Sequence, residues 1–151
     1  QVLDLDAPAP ANRQFDVVHC YGLLYHLARP AEAIAFLAAH CTHFMVLETC
    51  VTPGVGVALN PVAEPAEDPS QAISGTGCRP TREWVWAELA KVFPRVYATA
   101  TQPSHPEFPL DWALAPASYA PLTRAVFVAS KVPLDLNRNL LEALPYRQEA
   151  V

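Results

Sequence analysis

No stretch of this sequence approaches the run of roughly 18 apolar residues that a membrane span requires, and its first residues lack the layout of a signal peptide. The four cysteines, Cys20, Cys41, Cys50 and Cys78, are scattered and form no CxxC pair, which argues against a zinc ribbon and against a secreted disulfide framework. His19-Cys20 and His40-Cys41 are adjacent pairs, but neighbouring side chains diverge on a strand and on a helix alike, so no metal site is expected. Basic residues are few: 10 Lys and Arg against 15 Asp and Glu leave a formal charge of -5, which excludes a broad electrostatic grip on nucleic acid. An RNA held by a small local patch stays compatible with that charge; DNA and membrane partners are not expected. There is no internal repeat. The expectation is a soluble, cytoplasmic protein.

The 151 residues, 52% of them hydrophobic, are enough for one domain with a buried core. Phe15 to Tyr21 is apolar at nearly every position and ends at Gly22, as expected of a strand covered on both faces in a parallel sheet. Pro30 suits the first turn of a helix whose stripe is Ile34, Leu37, Ala38 and Cys41, although Arg29 is a poor N-cap. His43 to Val51 is the next strand. Pro53 to Pro80 has little periodicity and reads as a long loop or insertion. Thr81 is a fair N-cap for a helix carrying Val85, Leu89 and Val92. Arg95 to Thr101 alternates as a half-buried strand, Arg124 to Val132 is a final strand, and Leu140, Leu141 and Leu144 fit a short tail helix. Strands alternating with helices imply βαβ units, and the last two strands, with no convincing helix between them, are best paired antiparallel.

The words within these elements are more specific. Phe15-Asp16-Val17-Val18, then Gly22-Leu23-Leu24-Tyr25-His26-Leu27 and Pro30, resemble the fourth strand and following turn of class I S-adenosylmethionine (AdoMet)-dependent methyltransferases. Val46-Leu47-Glu48-Thr49 resembles the fifth strand. The GxLYH turn is similar to that of tRNA wobble-uridine carboxymethyltransferases and of uncharacterised relatives. Later words, Arg79-Pro80-Thr81-Arg82 and Gln102 to Phe108, are similar to those relatives too. The resemblance implies an α/β, Rossmann-like methyltransferase fold, of which this chain carries the C-terminal half with an antiparallel last strand. The glycine-rich loop of the family has no counterpart, because Gly54-Val55-Gly56 and Gly75-Thr76-Gly77 follow the wrong elements. Gln1 to Asp6 would be the end of the third strand. Residues 1–135 then form a partial domain, with 53–80 as its long loop and 136–151 as a tail.

Ligands of open α/β sheets lie beyond the carboxyl ends of the strands. By the resemblance, Asp4 or Leu5 contacts the adenine of AdoMet, although Asp4 also reads as a solvated acid and Asp6 competes for the register. Tyr21 and Tyr25 line the cofactor, where an aromatic ring attracts a sulfonium, or else they pack the turn. Gly22 lets the backbone turn under the ligand. His26 is the candidate general base, or a histidine that holds the turn. Glu48 orients the acceptor or bonds to loop amides, since an acid ending a buried strand needs a partner. His105 is a candidate lid over the acceptor. Trp84, Trp86 and Trp112 fit an acceptor pocket or the core. No arginine near Phe108–Trp112 matches the one that binds the carboxylated cofactor of the tRNA enzymes, which favours ordinary AdoMet.

The leading expectation is an AdoMet-dependent methyltransferase with a small-molecule or RNA acceptor, inactive as this piece alone and prone to self-associate through an uncovered sheet edge. A non-catalytic methyltransferase-like binding module is one alternative. A Rossmann oxidoreductase fragment, which requires a parallel last strand, is the other.

Overall fold

The computed structural model describes residues 4–8, 12–65, 67–68, 70–134 and 137–151. Strand β1 (Phe15–Tyr21) leads through a 3-10 turn at Leu24–His26 into helix α1 (Pro30–His40) and strand β2 (Cys41–Cys50). Two short strands, β3 (Pro61–Ala63) and β4 (Thr76–Cys78), precede helix α2 (Arg82–Val92). Strands β5 (Arg95–Thr99), β6 (Thr101–Gln102), β7 (Arg124–Ser130), β8 (Leu140–Leu141) and β9 (Glu149–Ala150) complete the chain.

The main sheet runs β1-β2-β7-β5-β8. Strands β1 and β2 are parallel, as a βαβ unit requires. Strand β7 enters between β2 and β5 and is antiparallel to both, with Glu48 opposite Val126, Cys50 opposite Arg124, and Tyr97 opposite Val128. The reversed last strand agrees with the expectation from the missing crossover helix. It also removes the oxidoreductase alternative, which needed a parallel one.

The helices start where their sequences allow it. Pro30 occupies the first turn of α1, and the amides of Ala28 and Arg29 just ahead of it donate to the Asp6 carboxylate at 3.1 and 2.9 Å. A carboxylate from a distant turn thus substitutes for the missing local cap. Thr81 caps α2, accepting the Trp84 amide at 3.3 Å. The helices pack on each other and on one face of the sheet. That face supplies Cys20, Met45, Leu47, Val96, Phe127 and Ala129 to a single apolar core with Ile34, Ala38, Val85 and Leu89.

Four expectations need correction. The first strand is not covered on both faces: Phe15, Val17 and Tyr21 are 51%, 39% and 56% exposed, because the described helices cover only the other face. Val17 pairs with Phe44 and His19 with Val46, both partners half-buried, so the row is better covered where it continues onto β2. The 95–101 strand is buried on both faces over Val96, Tyr97 and Ala98, since it lies inside the sheet beside β7. The long loop contains the antiparallel β3–β4 pair and buries Glu64, Ala72 and Cys78. The tail is not helical: Leu140 and Leu141 pair with Thr99 and Ala98, completing the sheet edge instead of forming a helix. The third-strand reading of Gln1 to Leu3 falls outside the described residues, and Asp4 to Ala7 form a turn closed by the Ala7 amide on the Asp4 carbonyl at 3.3 Å. None of the helices described is long and apolar enough to cross a membrane.

Candidate functional site at the carboxyl ends of the strands

Strands β1 and β2 both point their carboxyl ends to one edge, and the reversed β7 begins there with Arg124. Gly22, at a φ of +65°, turns the chain away from β1 and aims its amide at Glu48, 2.9 Å from Oε2. An added Cβ on Gly22 would meet nothing within 4 Å, so the glycine is there for its backbone angle and the space above it is open.

Glu48 is nearly buried, and its other oxygen accepts from Arg124 at 2.8 Å. The same guanidinium donates through Nε to Glu107 at 2.6 Å and through its second amino group to the Tyr25 hydroxyl at 3.3 Å. Burial alone would lower the pKa of Arg124, but the bonds to Glu48, Tyr25 and Glu107 outweigh it and hold the guanidinium firmly charged. The Glu48 carboxylate is thus fully engaged by a loop amide and an internal cation.

Tyr25 is flanked by cations. The guanidinium carbons of Arg79 and Arg124 lie 5.1 and 5.2 Å from its ring centroid. A ring already attracting two cations is a poor neighbour for a third. Tyr21, with its ring exposed at the end of β1 and tilted against His19 at 5.5 Å, is the tyrosine with a free face.

His26 stacks beside Tyr25 at 4.1 Å and places Nδ1 2.7 Å from Glu64 Oε2. Glu64 accepts from the Ala72 amide at 2.8 Å and from both amino groups of Arg79 at 3.2 Å. Burial would raise the pKa of Glu64; the bonds from His26 and Ala72, with Arg79 behind them, overcome it and keep the carboxyl below its ordinary value. Glu64 and Arg124 are residues that sequence reasoning missed, and Arg79 and Glu107 stand in words it noticed without giving them a role. Glu64 lies in a stretch without periodicity and Arg124 at a strand start, and only the fold brings the four to the GxLYH turn.

The other candidates are placed as follows. Asp4 is exposed and accepts the Asp6 amide at 2.9 Å, whereas both oxygens of Asp6 are spent ahead of α1, and Leu5 packs partly against the core. Leu3, beside them, lies outside the described residues. His105 is exposed, accepts the Glu107 amide at 3.3 Å, and so stands next to the residue that reaches Arg124. Trp84 and Trp112 are in the core, the latter donating to Gln148 at 2.6 Å with Arg82 over its ring at 4.0 Å, and Trp86 packs partly against that core. No cluster of metal-ligating side chains occurs among the described residues.

A cleft of about 350 Å³ opens at the same edge, between Val51, Thr52 and Arg79 on one side and Pro116, Tyr119 and Leu122 on the other. Its walls are mostly apolar, and Arg79 belongs both to the cleft and to the network beneath Tyr25. Larger or comparable hollows, around Trp86 and Arg95 and around Arg13 and His40, lie at the amino ends of the strands, where sheets of this kind do not hold ligands.

Against this geometry, the solved structure of the N-terminal domain of EvdMO1 with SAH bound superposes with a TM-score of 0.56 at 20% identity. The overlap covers 78% of this chain and 47% of that one. The same domain in the presence of SAH and D-fucose gives a TM-score of 0.57 at 20% identity, over 79% and 48%. The two proteins share a fold. It is a mixed α/β fold around a central sheet, and this chain spans about half the length of the EvdMO1 domain it matches. No family model and no curated protein matches the sequence.

Proposed function

We propose that this chain is the C-terminal half of an AdoMet-dependent methyltransferase domain and carries part of the cofactor site and the acceptor side. The observation that carries the reading is the likeness in fold to a domain crystallised with SAH, the product left when AdoMet gives up its methyl group. The open face of β1 supports the half-domain part, because a sheet in such a fold buries both faces under helices.

The residues at the carboxyl edge fit the adenine and sulfonium end of AdoMet. Asp4 has a carboxylate oxygen to accept from an exocyclic amine, Leu5 lies beside it, and Tyr21 offers a free ring above the open turn at Gly22. Tyr25 supports that floor from below through Arg124. AdoMet, when bound, supplies an activated methyl group; the chain's own residues must align the acceptor, exclude water and take up a proton. His26 is our candidate base, the cleft beside Arg79 our acceptor pocket, and the His105 loop its cover. Glu48 shapes the site by holding Gly22 and Arg124. A small hydroxylated acceptor is favoured over RNA by the acidic balance, by the cleft's size, and by the D-fucose present with the EvdMO1 domain.

The test is a titration of the 151-residue chain with AdoMet and with SAH, followed by backbone amide NMR. Shifts centred on Asp4, Leu5, Tyr21 and Gly22, with weak saturable binding and no methyl transfer, are expected. Shifts confined to the amino ends of the strands overturn the assignment of the site. Methyl transfer by the isolated chain overturns the half-domain reading.

A further inference from the structure

His26 and Glu64 are brought together by the β3–β4 pair folding over the 3-10 turn, and the contact between them is tightly constrained. The Glu64 side chain is 3% exposed. Ala72 and Arg79 hold its two oxygens, and Gly77 closes the remaining side, since an added Cβ there would stand 2.8 Å from the Glu64 carboxyl carbon. The carboxylate has no room to swing away from the ring. Around the imidazole stand Tyr25 from its own turn, Glu64 and Arg79 from the β3–β4 region, and, behind Tyr25, Glu48 from β2 and Arg124 from β7.

A carboxylate only accepts hydrogen bonds, so a neutral imidazole at 2.7 Å must carry its proton on Nδ1. That leaves the lone pair on Nε2, for which no partner is found among the described residues. The His26 side chain keeps 18% of its surface accessible.

We propose that Glu64 is the positioning residue for a base at His26: it fixes the ring and the tautomer so that Nε2 faces an acceptor hydroxyl. This rests on the methyltransferase reading above. As the bond from the acceptor oxygen to the methyl carbon forms and the carbon–sulfur bond of the sulfonium breaks, the hydroxyl proton passes to Nε2. The positive charge leaves the sulfur and appears on the imidazole, where the Glu64 carboxylate offsets it. Water then takes the proton and restores the base.

The test needs neither AdoMet nor acceptor, so it separates this proposal from the function it deepens. Long-range 1H–15N correlation on the labelled chain reports the tautomer of neutral His26. We expect Nδ1–H to dominate, and E64A to reduce that excess by about tenfold, the factor that one hydrogen bond to a charged group supplies. Carbethoxylation of Nε2 by diethyl pyrocarbonate, with exposed His105 as internal reference, should slow by about two- to fivefold in E64A, because the rate follows the fraction of the Nδ1–H form and not the tautomer ratio. A Glu64 that merely staples β3 and β4 to the turn predicts the opposite, a rate that is unchanged or higher as the ring becomes more exposed. An Nε2–H tautomer in the unaltered chain overturns the proposal even if E64A fails to fold. If both readouts behave as expected while AdoMet fails to bind at Tyr21 and Gly22, the assigned cofactor site falls and the His26–Glu64 coupling stands.

Discussion

Arg124 joins three groups that are far apart in sequence, Glu48, Glu107 and Tyr25, and two of its partners are carboxylates. Removing it leaves Glu48 nearly buried with a single amide donor. R124M should therefore cost about 3 kcal/mol in denaturant unfolding, the low end for breaking a buried pair because the guanidinium is itself partly accessible. R124K should recover only part of the loss, since one ammonium cannot reproduce the planar fork. Gly77 is the second sensitive position. Its missing Cβ would fall 2.4 Å from the Tyr25 carbonyl and 2.8 Å from Glu64, so G77A should destabilise by about 1–3 kcal/mol. The same substitution should shift the NMR signals of Tyr25 and His26, because the turn must move to admit the methyl. Of these residues, the sequence made Tyr25, His26 and Glu48 visible through their places in recognisable words. Glu64, Gly77 and Arg124 carry no such mark, for their roles arise from contacts across separations that local patterns do not encode.

The β3–β4 pair is the element least legible beforehand. Strands of three residues each carry too few positions for an alternation to register, and proline and glycine around them read as loop. The helices and the longer strands were legible because each buries a row at a fixed period. What misled at β1 was its uniform apolar composition, which fits a two-face burial that the described chain supplies on one face only. The β3–β4 region is also where acid should act first. Glu64 titrates below its ordinary value in the folded protein, so its stabilisation is complete above the usual glutamate range, about 4.3, and is lost as pH falls through the lower folded value. Comparing urea unfolding of the unaltered chain with E64Q should give a gap of about 2 kcal/mol at neutral pH. That gap should close as the solution is acidified through and below the glutamate range.

For the molecule as a whole, we propose that the open edge and face of β1 govern its behaviour in solution. Phe15, Val17 and Tyr21 are exposed along a strand that, among the described residues, pairs on one side only, an arrangement that favours edge-to-edge association with a second copy. Light scattering should detect association that grows with concentration, and V17K should reduce it without lowering the melting temperature; a monodisperse monomer at all concentrations would contradict this. The four cysteines should not contribute, because all are buried. Burial pushes Cys20 up to about 11 and Cys78 up to about 12, with Cys41 and Cys50 raised in the same direction. None should react with iodoacetamide in the native state at pH 8, and all four should react after unfolding, as mass spectrometry will report.

The reversed strand β7 has a consequence for synthesis. It is the middle of the five strands of the main sheet, yet β1, β2 and β5 all precede it in the chain. A nascent chain leaving the ribosome must therefore hold β2 and β5 apart, with their facing backbone groups unpaired, until the last long strand emerges to join them. The seam of this sheet is sewn only once β7 has been made, and a premature stop just before Arg124 would remove its centre while leaving β1, β2 and β5.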